Sequence, residues 1–77
     1  MTISTTVRKD VERVRAKLIR QAKREGLREN FGQRDWRKLN DQYFGLAYGD
    51  PDERAAYALV ADLHDWCAMY TGRETRA

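Results

Sequence analysis

The chain has 77 residues, 42% apolar and 35% charged, with eight aromatic side chains, which is enough for one domain, too short for two, and globular rather than disordered in composition. Its net charge of +3 hides a division: residues 1–38 hold twelve Lys/Arg against five Asp/Glu, +7, and residues 39–77 hold three against seven, −4. The single cysteine, Cys67, excludes an intramolecular disulfide and a multi-cysteine zinc site, and no stretch approaches the ~18 consecutive apolar residues of a membrane span.

A first helix is predicted from about Thr5 to Glu25. Val7, Val11, Val14, Leu18 and Ala22 recur at steps of four and three, forming one core-facing stripe. Ser4, Thr5 or Thr6 supplies the capping oxygen, and Gly26 takes the left-handed conformation that ends the helix. A connection from Leu27 to Gly32 leads to a second helix from about Gln33 to Phe44. There Trp36, Leu39, Tyr43 and Ala47 lie three or four apart, and Asp35 sits in the first turn, where the helix dipole favours it. Gly45 and Gly49 bracket a second connection, read as loop. Asp50-Pro51-Asp52-Glu53 then starts a third helix, with aspartate at the cap, proline at the first helical position and glutamate at the third. Ala56, Leu59, Val60, Leu63, Trp66, Cys67 and Tyr70 share one face of it, and Gly72 is expected to stop it.

Three helices, at about 5–25, 33–44 and 51–70, define an all-α, compact three-helix bundle spanning 1–77 as a single domain, with 1–4 and 73–77 frayed. The two long helices pack together, with the short one across them. Met1 to Val7 shows no charged leader before an apolar run, which points to a cytoplasmic protein.

Two surfaces stand out as candidate binding sites. Lys9, Arg13, Lys17, Arg20 and Arg24 project within about 80° of one another, opposite the apolar stripe, as a cationic ridge suited to nucleic acid or an acidic protein partner. Arg8, Arg15, Lys23 and Arg28 widen the positive region. On the third helix, Tyr57, Ala61, His64 and Ala68 form a stripe beside the core face; an exposed tyrosine and histidine among alanines suit a protein interface. Asp50, Asp52, Glu53, Asp62 and Asp65 make an acidic group whose simplest roles are capping and solvation. His64 and Cys67 lie three apart on one helix, yet zinc needs three or four ligands, and Cys67 falls on the core face, so both read as structural.

Glu29-Asn30-Phe31-Gly32-Gln33, followed by Arg37-Lys38-Leu39 and Asp41, then Asp65-Trp66-Cys67 and Tyr70, resembles a pattern in small uncharacterised proteins encoded by bacteriophages and mobile elements, over about residues 22 to 72. The resemblance implies a setting rather than a chemistry: a small phage-encoded protein that binds a host macromolecule, for example as an inhibitor of a defence system. It gives no residue a role. Phe31 beside Gly32 is expected to plug one end of the bundle, with Asn30 or Gly32 capping the second helix.

The sequence therefore points to a non-catalytic interaction protein, with no cofactor and no metal, that docks on a host protein or complex through its charged or alanine-rich helical faces. Two alternatives stand beside it: a small nucleic-acid-binding protein using the basic face of the first helix, and a self-associating module, a homodimer built on the third.

Overall fold

The apolar stripes of the two long helices set the architecture, because each must find another to cover it. The computed structural model describes residues 2–27 and 30–76, with side chains described up to residue 70. In it α1 spans Ile3–Glu25, α2 Gln33–Tyr43 and α3 Pro51–Arg76, with a 3₁₀ turn, Phe44–Tyr48, between α2 and α3. The product is an all-α three-helix bundle measuring 40 × 18 × 18 Å. No strand occurs among the described residues.

Val7, Val11 and Leu18 of α1, Leu39 and Tyr43 of α2, and Ala56, Val60, Leu63 and Cys67 of α3 form the buried core. Val14, Trp36, Leu59 and Trp66 pack against it half-buried. α1 and α3 share the most extensive contact, as expected for the two long helices, and α2 lies chiefly on α3. Paired residues give the directions. Lys17 meets Asp35 and Asp10 meets Tyr43, so α2 runs antiparallel to α1. Trp36 meets Val60 and Tyr57 meets Asn40, so α3 turns back again.

α1 starts two residues earlier than the sequence suggests. Thr2, not Ser4, Thr5 or Thr6, is the cap: its Oγ1 accepts from the Thr5 N–H at 3.3 Å. The physical reason lies in Ile3, four residues before Val7, which packs on the core only if the helix already includes it. The first four residues were expected to fray; Ile3 and Ser4 belong instead to the first turn, and Met1 lies outside the described residues. Gly26 closes α1 as expected, but at φ +79° and ψ 173° rather than in the left-handed helical conformation, its N–H donating to the Ala22 carbonyl at 2.8 Å.

α2 begins at Gly32, in the left-handed conformation at φ +76° with no side-chain cap. Asn30, also left-handed at φ 66°, accepts the Gln33 N–H on its carbonyl at 3.1 Å. Tyr43 ends α2, and the segment read as loop tightens into the 3₁₀ turn. Leu46 drives it, packing on the core while its carbonyl accepts the Gly49 N–H at 3.1 Å. At the start of α3 the expected reciprocal cap is in place. The Glu53 N–H donates to Asp50 Oδ1 at 2.9 Å, and the Asp50 N–H donates to Glu53 Oε1 at 3.2 Å.

Gly72 does not stop α3, which continues through residues 73–76, expected to be a frayed tail, to Arg76. A mid-helix glycine costs about 1 kcal/mol relative to alanine, and it ends a helix only where the chain must also turn. Ala77 lies outside the described residues. No helix among the described residues is long and apolar enough to cross a membrane.

Candidate functional site

The cationic ridge sits where helical geometry puts it. Lys9, Arg13, Lys17, Arg20 and Arg24 are all exposed on the outer side of α1. Three of the five are matched by the chain's own carboxylates: Arg13 with Asp10 at 3.6 Å, Lys17 with Asp35 at 2.9 Å, and Arg24 with Glu25 at 3.8 Å. At this exposure such pairs contribute about 0–1 kcal/mol each and leave the cations open to a stronger partner. Lys9 and Arg20 form no ion pair among the described residues.

Arg15 departs from its expected place on the widened positive region. It is half-buried, its guanidinium over the Trp66 ring at 5.6 Å, where the ring's negative face holds it against α3. Arg28, expected to widen the same region, lies outside the described residues.

α2 supplies cations that the sequence reading left out of the site. Arg34, Arg37 and Lys38 are exposed on its outer face, and none forms an ion pair among the described residues. Arg34 and Lys38 line a cleft of about 450 Å³ with Lys17 and Gln21 of α1. The same two residues, with Asn30, Gln33 and Arg37, line a second cleft of about 470 Å³ ending at Asp41. The signal was present in the spacing: residues 34, 37, 38 and 41 follow the helical repeat opposite Trp36, Leu39 and Tyr43.

The second candidate surface is only partly free. Ala61, His64 and Ala68 are exposed, but Tyr57 is half-buried, against the expectation of an exposed tyrosine. Its hydroxyl donates to Asn40 Oδ1 on α2, and its ring meets that of Phe44 edge-on at 6.3 Å. A tyrosine beside the core face finds both an apolar wall and a hydrogen-bond partner on the neighbouring helix, which an exposed position would deny it. His64 meets the edge of Trp36, ring centroids 4.8 Å apart, and lies 3.7 Å from Asp65.

Beside this pair, the segments around Gly32 and Cys67 come together. Gly32 backs onto Cys67, so that a Cβ at position 32 would lie 2.4 Å from its sulfur. Phe31 stacks on Tyr70 at 5.5 Å and tilts against Trp66 at 6.2 Å, closing the end as expected. Glu29, the first residue of the pattern, lies outside the described residues. Gly32, Trp36, His64, Cys67 and Ala68 line a cleft of about 250 Å³ beside this closure.

Burial pushes the Cys67 thiol up to about 11, reinforced by the negative charge of Asp35 and opposed by Arg15. The same burial that packs the side chain against the core disfavours its thiolate form. Burial likewise raises Tyr43 to about 12, aided by its hydrogen bond to Asp10. No group of three or more His, Cys, Asp or Glu among the described residues could hold a metal ion. The fold thus defines a small all-α bundle with one strongly cationic side. No protein-family model, curated protein or solved structure matches the chain at a significant level.

Proposed function

We propose that this is a non-catalytic interaction protein, of the phage-encoded kind its sequence pattern resembles, that docks on a host protein or complex through the basic side of the bundle. The observation that supports this reading is the outward charge of α1 and α2. Eight exposed cations, Lys9 to Arg24 on α1 and Arg34, Arg37 and Lys38 on α2, stand against Asp10, Glu25, Asp35 and Asp41. That excess lies on one side of an elongated molecule whose other charges nearly balance, seven Lys/Arg against eight Asp/Glu, so it steers and orients a negatively charged partner. Between the two surfaces read from the sequence, the ridge is the stronger candidate, because Tyr57, the anchor of the α3 stripe, is engaged by Asn40.

Affinity capture from a host lysate tests the proposal. The wild-type chain is expected to recover a stoichiometric partner, and the double variant Arg13→Glu, Arg20→Glu is expected to lose it. Equal recovery by both, or by neither, removes the reading.

A further inference from the structure

We infer that the groove running from the inner flank of α1 across the outer face of α2 seats a nucleic-acid backbone, with Arg34, Arg37 and Lys38 as the cations that hold its phosphates. This rests on the reading that the basic side docks on a host complex, and it names the nucleic acid of such a complex as what the groove meets. Asn30, Arg34 and Lys38 line both clefts, so the two adjoin.

Three observations favour phosphates over carboxylates as the groups this groove meets. The first is extent. Cations occupy two neighbouring helices, and from Lys9 to Arg24 the ridge alone covers about 22 Å at 1.5 Å per residue. A protein surface presenting carboxylates without interruption over that area repels itself, whereas a duplex carries one negative charge per roughly 1.7 Å by its covalent structure. The second is availability. The chain's own carboxylates engage Arg13, Lys17 and Arg24, whereas Lys9, Arg20, Arg34, Arg37 and Lys38 have no ion-pair partner among the described residues. The third is the amide lining. Gln21, Asn30 and Gln33 place amide groups along the same clefts, beside the carboxylates of Glu25, Asp35 and Asp41, and such amides commonly bond phosphate and sugar oxygens. No aromatic lines the outer cleft on α2, so the contact follows the backbone and is indifferent to base sequence.

The test is fluorescence anisotropy of a labelled 20-base-pair DNA duplex and a labelled RNA strand against the full-length chain, over a salt series. The wild-type chain is expected to bind at least one of them with steep salt dependence. The triple variant Arg34→Gln, Arg37→Gln, Lys38→Gln is expected to bind at least tenfold more weakly, with a log–log salt slope shallower by about 3. Arg54→Gln on α3 is the control and leaves both unchanged. Circular dichroism confirms that the triple variant is folded, and the double variant Lys9→Gln, Arg20→Gln probes the same surface from α1, with an expected loss of about 2 in slope. Unchanged affinity and slope in both variants overturn the inference. Displacement of the duplex by poly-glutamate at equal charge concentration overturns it too, while leaving the broader docking proposal intact. If the wild-type chain binds neither nucleic acid, the inference falls, and capture from host lysate decides the docking proposal separately.

Discussion

Gly32 carries two constraints at one position. Its φ of +76° lies where L side chains are strained, and the space a Cβ needs is filled by the Cys67 sulfur at 2.4 Å and a Leu18 methyl at 3.2 Å. Gly32→Ala is therefore expected to destabilise the fold by about 2–3 kcal/mol, combining backbone strain with overpacking, measured as a drop in urea midpoint. Gly26, with the same sign of φ and nothing within 4 Å, is expected to lose only the backbone part, about 1 kcal/mol, on the same change. Equal effects at the two sites would show that the contact with Cys67 is not tight. The buried titratable groups give a second residue-level outcome. The Cys67 thiol rises from about 9 to about 11 on folding, and the Tyr43 hydroxyl from about 10 to about 12. In both cases the unfolded chain loses its proton first, so their contribution is complete below pH 9 and fades as pH climbs through the folded values. The urea midpoint is expected to fall between pH 9 and 12. Cys67→Ala should flatten the lower part of that fall and Tyr43→Phe the upper. A midpoint that is constant over this range contradicts the assigned burial.

At the scale of elements, helix ends divide according to how many groups specify them. The start of α3 is over-specified, because Asp50, Pro51 and Glu53 each favour it for a separate reason, and the reciprocal hydrogen bonds follow from the sequence directly. Asp50→Ala is expected to cost about 1 kcal/mol and Asp50→Ser much less, compared by thermal unfolding. Equal losses would mean that capping is not what the aspartate does. The start of α1 is under-specified locally, since Thr2, Ser4, Thr5 and Thr6 all offer hydroxyls. The choice is made by Ile3 reaching the core, a tertiary contact invisible to a local pattern. The end of α3 fails for the opposite reason. Gly72 permits a stop but does not compel one, and α3 continues to Arg76. The 3₁₀ turn had the same cause: Leu46 folds inward, and the glycines around it tolerate the tightening without demanding a loop.

For the whole molecule, the legible part was the interior. Val7, Val11, Leu18, Leu39, Tyr43, Ala56, Val60, Leu63 and Cys67, the buried set among the described residues, lie on stripes apparent from spacing alone. Surfaces were less legible, because an exterior residue is defined by what its neighbours on other helices leave uncovered. Tyr57 was drawn to Asn40 and Arg15 to Trp66, both across helix boundaries, while Arg34, Arg37 and Lys38 joined the ridge only once α2 was laid beside α1. The basic side therefore belongs to two helices, and charges there should act together more than any one of them does alone.

The claim that this side, rather than the outer face of α3, meets the partner is tested most directly by site-specific photo-crosslinking in host extract. A photoreactive residue replaces Ala16, exposed beside the ridge, or Ala58, exposed on α3. The expected result is a discrete adduct at position 16 that disappears when Arg13 and Arg20 are reversed in charge, with none at position 58. Adducts at position 58 and none at position 16 would contradict the account.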